Sequence, residues 1–309
     1  MSIERALELA EQGRGTTHPN PVVGAVVVRD GRVVGEGWHE RKGGPHAEIV
    51  ALDAAGELAR GATLYVTMEP CTHHGTTPPC TDAVLAAGVA KVVAGSRDPN
   101  PEARGGLDVL RAAGVEVELQ DSFAARAQND AWRTWVSERR PFVILKLALT
   151  LDGRVAVPGE RWISGEESRR RVHELRSQVD AVAVGMGTVR ADDPQLTARD
   201  VDAVRQPRRI AFGSGPSQLE VRGGPLADEL RALAADGVQS LLLEGGPTIA
   251  ASFLRDGLVD KVMLFIAPQI AGAGPQFAPA LETPVVLTHT TCERVGEDVL
   301  LTGYVHEPS

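Results

Sequence analysis

EPCTHHGTTPPC, from Glu69 to Cys80, places two cysteines, two histidines and three prolines within a dozen residues. The whole chain has three cysteines, Cys71, Cys80 and Cys292. That is too few for a disulfide framework, and the close pairing of two of them favours metal binding or catalysis. Cys292, alone in the second half, reads as an ordinary core or surface residue. Helix-forming composition over 82–87 follows the second cysteine, and an apolar strand over 62–67 precedes the first. Cys80 therefore stands near a helix start, where unpaired N–H groups and a partial positive charge favour thiolate over thiol.

Outward from this stretch the chain alternates between strand and helix signals. Upstream come a helix over 3–12, a TTHPNP turn, and strands over 22–29 and 33–38 joined by Asp30-Gly31 as a hairpin. Residues 47–60 have helical composition. Downstream come a strand over 91–94, a DPNP turn, a helix over 107–113 and a strand over 115–119. Strands separated by helices predict an α/β fold, a mainly parallel sheet with helices on both faces.

A polar helical segment over 123–138, carrying Trp132 and Trp135, ends at Arg139-Arg140-Pro141, where the alternation restarts. Strands are expected at 142–148, 181–185, 209–212, 240–244 and 261–267, with helices at 166–177, 226–236 and 249–256. Residues 214–224 are rich in Gly, Ser and Pro and read as a loop. The expectation is two α/β domains, 1–140 and 141–309, which suits a chain of 309 residues.

Composition narrows the partners. Acidic residues outnumber basic ones 41 to 32, for a formal charge of −9, so the footprint of a nucleic-acid binder is absent. Local basic pockets for a phosphorylated small molecule remain compatible with that charge. No apolar run approaches the ~20 residues needed to span a bilayer, and the N-terminal segment lacks a signal-peptide core. A cytoplasmic protein without membrane partners is expected; homo-oligomerisation is left open.

His46-Ala47-Glu48 opens the helix expected over 47–60. Zinc takes nitrogen and thiolate ligands in a tetrahedron, and a catalytic zinc keeps one of its four positions for water. His46, Cys71 and Cys80 supply three ligands. Glu48 is then placed as a base beside that water, whose pKa zinc lowers to about 7. The competing reading is a closed structural zinc, with His73 or His74 as fourth ligand. His-x-Glu followed by Pro-Cys and a second Cys is similar to the pattern of zinc nucleobase deaminases, with a longer loop, THHGTTPP, between the cysteines.

That longer loop, with HAE and the upstream HPNPVVGAVVV, resembles the deaminase half of the bifunctional riboflavin-biosynthesis deaminase–reductases. The family form x-H-x-G-x-T-P-P is matched by His73, Gly75, Thr77, Pro78 and Pro79. The resemblance implies a cytidine-deaminase-like domain acting on a phosphoribosylated diaminopyrimidinone. It also implies that Asn20, His39 and His73 hold the pyrimidine and the ribosyl phosphate. Without it, Asn20 reads as a turn residue and His39 as an ordinary strand-end histidine. The DPNP turn at 98–101 matches too, although the PEARGGL after it is about one residue short.

Three blocks of the second half, RPFVILKLALTLDGRVA, RWISGEESRRRVHELRSQVDAVAVGMGTVRADDPQLTAR and LLLEGGPTIAASFL, resemble the reductase half of the same family. The implied fold is dihydrofolate-reductase-like. Read on their own, Gly245-Gly246-Pro247-Thr248 follow a strand and open a helix, a place for a phosphate or simply a tight turn. Three loops at strand ends would converge on one crevice. The resemblance implies an NADPH site lined by Ala148, Trp162, Ser164, Thr188, Asp192 and 246–252, including Gly246, Pro247 and Thr248. It further implies that Leu196, Arg199 and Glu244 contact the substrate's sugar and phosphate. Glu244 otherwise reads as a solvated strand-end carboxylate, and Lys146 as a packed or paired residue. VPGERWIS is shorter than the family's loop, so a small polar substrate contact there is missing or replaced by Arg161.

The expectation is therefore one zinc ion and NADPH, with deamination followed by hydride transfer to C1 of the ring-opened ribosyl group. The alternative is a nucleoside or RNA zinc deaminase with a non-catalytic nucleotide-binding C-terminal domain.

Overall fold

The computed structural model describes residues 2–74, 78–203, 205–277 and 280–308. It forms two compact units that divide between Ser137 and Glu138. In the first, β1 (Gly24–Arg29), β2 (Arg32–Trp38), β3 (Thr63–Val66), β4 (Lys91–Ala94) and β5 (Glu116–Leu119) form one sheet in the order β2-β1-β3-β4-β5. The pairs β3–β4 and β4–β5 are parallel, but β1 runs antiparallel to both β2 and β3. The sheet is mixed, not mainly parallel as the alternation predicted. The reversal after β1 is made by Asp30 and Gly31, at φ 51° and 76°. Two positive φ values in a two-residue loop are the hairpin turn that suits strand twist.

Successive residues of β1 face opposite sides of the sheet. Ala25 and Val27 pack with α2 (Ala47–Ala55), α3 (Cys80–Ala87) and α4 (Gly106–Ala112), while Val26 meets Ile3, Ala6 and Leu9 of α1 (Ser2–Ala10). Gly35 lets α2 lie close to β2: a Cβ there would sit 2.2 Å from the Ala51 carbonyl oxygen. This close packing holds α2, which carries Glu48 and follows His46, against β2.

The helical segment expected over 123–138 is broken into α5 (Phe123–Ala127) and α6 (Asp130–Glu138). Asn129, 6% exposed, sits in the break. Its Oδ1 accepts from the Val22 N–H at 2.9 Å and its Nδ2 donates to the Val22 carbonyl at 2.8 Å. Asn129→Ala would leave both backbone groups buried and unpaired, and is expected to cost about 1–3 kcal/mol. Urea unfolding of the full chain followed by circular dichroism measures this loss.

The second unit holds β6 (Phe142–Thr150), β7 (Ala181–Gly185), β8 (Arg208–Phe212), β9 (Glu220–Arg222), β10 (Ser240–Leu243), β11 (Lys261–Ala267), β12 (Thr288–Val295) and β13 (Asp298–Tyr304). Their order is β12-β13-β11-β6-β10-β7-β8-β9. It is parallel from β11 to β9, with an antiparallel β12–β13 hairpin added along β11. Its helices are α7 (Glu166–Gln178), α8 (Met186–Asp192), α9 (Leu226–Ala235) and α10 (Pro247–Arg255). Val143, Leu145 and Leu147 pack against α9 and α10 through Leu230, Leu233, Ala250 and Phe253. The alternate residues of β6, Ile144, Lys146 and Ala148, belong to the other face, where Ile144 packs beside Leu175 and Val172 of α7. Asp298 of β13, 2% exposed, accepts from the Gly165 N–H at 2.8 Å and the Ser168 hydroxyl at 2.6 Å, which pins the start of α7. The stretch read as a loop over 214–224 contains β9; α8 and the β12–β13 hairpin were not anticipated. Among the described residues no helix is long and apolar enough to cross a membrane.

Candidate metal centre and active-site residues

His46 immediately precedes α2, Cys80 opens α3, and Cys71 lies in the segment after β3. His46 Nδ1 is 3.1 Å from Cys80 Sγ and 3.6 Å from Cys71 Sγ. The Cys80 N–H donates to Cys71 Sγ at 3.4 Å. The three ligand atoms lie within 4.8 Å of one another, the one such His/Cys/Asp/Glu group among the described residues. Zinc–sulfur and zinc–nitrogen bonds of ordinary length put tetrahedral N and S ligands about 3.5 Å apart. The donor set fits zinc on that spacing.

Its electrostatics point the same way. The hydrogen bond from Cys80, with that to His46, holds the Cys71 thiol down to about 4, despite burial. The same contact with Cys71, with burial added, pushes Cys80 far above the usual thiol range. A cation held between the two sulfurs would favour the thiolate form of both. His73 and His74 are exposed and stand outside the three-ligand group. Gly75 and Thr77 lie outside the described residues.

Glu48, the second residue of α2, is 3% exposed. Burial pushes its carboxyl up to about 7. It lines a cavity of about 450 Å³ together with His46, Cys71, Asn20, His39 and His73. His39 Nδ1 donates to the Pro45 carbonyl at 3.0 Å, which leaves Nε2 to accept from Asn20 Nδ2 at 3.2 Å. Burial pushes the His39 pKa down, so the ring is held neutral in one tautomer. All three pyrimidine-side candidates therefore meet at one cavity.

Several lining residues had no role assigned from the sequence: Lys42, Glu69, Asp98, Asn100, Trp132 and Trp135. Glu69 organises the wall, accepting from the N–H groups of Asp98, Gly105 and Leu107 at 3.1–3.2 Å. Burial raises Asp98 to about 6, against the N–H it accepts from Asn100. The DPNP turn was the visible signal for this pair.

In the second unit, Glu244 follows β10 and is gripped by Arg176 of α7, with Nε–Oε1 2.6 Å and Nη2–Oε2 3.0 Å. Lys146 Nζ lies 3.9 Å from the same carboxylate. Burial alone would raise Glu244, but Arg176 and Lys146 outweigh it and hold the carboxyl below its ordinary value. Burial pushes Lys146 down. Glu244 is thus no solvated strand-end residue, and Arg176 is the partner that sequence reasoning missed. Arg176 Nη1 also donates to the Thr197 carbonyl at 3.1 Å, and His173 Nδ1 accepts from the Arg199 N–H at 3.2 Å. These contacts bring the segment of Leu196 and Arg199 beside Glu244. The Leu196 side chain, 3% exposed, is packed in the core with Val182 and Val184. Its φ is 53°, so what it can offer a ligand is backbone.

Gly246, the residue before α10, donates its N–H to Thr188 Oγ1 of α8 at 3.3 Å, joining two of the predicted cofactor loops. A Cβ at Gly245 would lie 2.0 Å from Ile249 Cγ2, so a side chain there would force Ile249 to move. Pro247 takes the first helical position and Thr248 is exposed in the same turn. Ala148 is half-buried on the Lys146 face of β6. Trp162, 56% exposed, has the guanidinium groups of Arg161 and Arg169 over its ring, at 5.2 and 5.5 Å from the centroid. Arg169 also donates to the Ser164 carbonyl at 2.5 Å, and Asp192 is exposed at the end of α8.

Residues 2–96 match the family described as the cytidine and deoxycytidylate deaminase zinc-binding region, and residues 141–301 match the RibD C-terminal domain. The chain is 40% identical to the riboflavin biosynthesis protein RibD of Aquifex aeolicus, across 96% of this chain and 95% of that protein. It is 41% identical to that of Escherichia coli, across 87% of each. Among solved structures, Acinetobacter baumannii RibD superposes with a TM-score of 0.85 at 34% identity, covering 98% and 97% of the two chains. A Thermotoga maritima diaminohydroxyphosphoribosylaminopyrimidine deaminase/5-amino-6-(5-phosphoribosylamino)uracil reductase superposes at 0.82 and 37%, covering 97% of each. Matches to both halves in one order disfavour a nucleoside or RNA deaminase with an idle second half. The chain belongs to the RibD family and is a bifunctional deaminase and reductase of riboflavin biosynthesis.

Proposed function

We propose that residues 1–140 deaminate 2,5-diamino-6-(5-phosphoribosylamino)pyrimidin-4-one, and that residues 141–309 reduce the ribosyl group of the product with NADPH. The observation that carries the first half is a buried carboxyl, Glu48, beside three convergent zinc ligands at a cavity wall. Bound by His46, Cys71 and Cys80, zinc supplies a Lewis acid that activates water near neutral pH. Glu48 takes one proton from the attacking water at its carboxylate and passes it to the adjacent ring nitrogen. As the ring carbonyl forms, the remaining hydroxyl proton passes through Glu48 to the amino nitrogen, which departs as ammonia. A carboxyl at this position can both accept and return protons. Asn20, the neutral His39 and His73 orient the pyrimidine.

For the reductase, the glycine-lined turn before α10 and the Thr188 contact make a place where a phosphate can approach backbone. Arg161 and Arg169, stacked on Trp162, add positive charge suited to a nucleotide with an extra phosphate. NADPH supplies a hydride when bound. Arg176 holds Glu244 in one orientation, and with Lys146 and Arg199 it presents charge to a sugar phosphate.

The test supplies purified protein with the diaminopyrimidine phosphoriboside, with and without NADPH, and follows ammonia and the nicotinamide absorbance. Ammonia release in both arms, with NADPH oxidation only after deamination, is expected. Ammonia without any NADPH oxidation would remove the reductase assignment.

A further inference from the structure

The deamination chemistry uses His46, Glu48 and Cys71 among the residues lining the first unit's cavity and gives no part to Lys42. The described lining carries three carboxyl side chains, Glu48, Glu69 and Asp98, but a single lysine or arginine, Lys42. A phosphate dianion set among the carboxylates would be repelled. The pyrimidine has to reach the zinc ligands, so its phosphate has to lie elsewhere in the cavity.

Lys42 lies in the loop that joins His39 to His46, and the backbone of that loop is tied down. The Lys42 N–H donates to the Thr16 carbonyl at 3.3 Å, and the Gly44 N–H to the Arg41 carbonyl at 3.0 Å. His39 Nδ1 holds the Pro45 carbonyl, and the Thr16 hydroxyl donates to the carbonyls of Glu40 and Gly13. The Lys42 side chain is exposed, and among the described residues its ammonium makes no hydrogen bond or ion pair. A fixed backbone carrying an uncommitted cation at the edge of an acid-lined cavity fits a terminal phosphate, which a lysine meets as a mobile point charge.

We propose that Lys42 holds the phosphate of the deaminase substrate and sets the preference for phosphorylated over unphosphorylated pyrimidine ribosides. The inference rests on the reading that the first unit acts on a phosphoribosylaminopyrimidine.

The experiment compares the wild-type holoenzyme, Lys42→Ala and Lys42→Arg on the diaminopyrimidine phosphoriboside and on the same riboside without phosphate, with zinc content measured for each. Lys42→Ala is expected to raise KM for the phosphorylated compound about 10-fold or more, with kcat within about twofold, the pattern of lost uniform binding. KM for the unphosphorylated riboside should stay within about twofold, and Lys42→Arg should restore most of the discrimination. Added salt should erode the wild-type preference, since the ammonium is exposed. Equal changes of KM on both compounds, or no change on either, would overturn the role of Lys42 while leaving the deaminase reading intact. A wild-type holoenzyme that turns over neither compound would overturn that reading, and the inference with it.

Discussion

Glu48→Gln is expected to slow deamination by about 10²- to 10⁴-fold, the usual contribution of a positioned acid–base group, while the protein keeps its zinc. Gln preserves the shape of the side chain but cannot carry a proton between water and the leaving nitrogen. The candidate ligand atoms are those of His46, Cys71 and Cys80, which the substitution leaves untouched. Single-turnover ammonia release measures the first effect and metal analysis the second. Cys80→Ala supplies the contrast, since it is expected to lose both zinc and deamination. A Glu48→Gln protein without zinc would make Glu48 a ligand, and one with an undiminished rate would end its role as base. The metal-free protein offers a second readout. Burial raises Glu48 from 4.5 to about 7 in the fold, so the neutral carboxyl's stability is present below about pH 4.5 and lost as pH rises through about 7. Glu48→Gln is expected to flatten that decline.

The candidate metal ligands and Glu48 can be picked out in the sequence because their chemistry is written in short spacings. His46 and Glu48 are two residues apart, and each cysteine follows a proline. Strands β7 and β11 match their expected bounds because each is a short apolar run bounded by turns. What stayed hidden depends on distant partners or on absent patterning. The break between α5 and α6 is made by Asn129 pairing with Val22, 107 positions away, and no local residue signals it. β12, THTTCERV, is exposed along its length, so no alternation of apolar residues marks it. The direction of β1 against β3 is set by tertiary packing, to which strand propensity is blind. Arg176 is one of four arginines on α7, and nothing in EESRRRVHELRSQ says which of them reaches Glu244.

Arg176→Met tests that hidden pair. Removing one partner of a buried, bidentate ion pair leaves an uncompensated charge and is expected to cost about 3–5 kcal/mol. Lys146, 3.9 Å away and itself pushed down by burial, cannot replace a fork that donates twice at hydrogen-bond distance. The pH dependence separates this cause from lost packing. In the wild type Glu244 is held below its ordinary pKa, so its contribution is present above about pH 4.5 and lost as pH falls through the folded-state value. In the variant burial dominates and the folded-state pKa rises above the unfolded one. Its folded state is then penalised increasingly as pH rises through that raised value. The stability gap between the two proteins should therefore be small near about pH 4 and wide near about pH 8. Adding Glu244→Gln to Arg176→Met should recover most of the loss at the higher pH, because no buried charge is then left unpaired. Denaturant unfolding of all three proteins across that range measures the gap directly. A loss equal at every pH, unrelieved by Glu244→Gln, would assign the effect to the Arg176 stem and its bond to Thr197 instead of to the carboxylate.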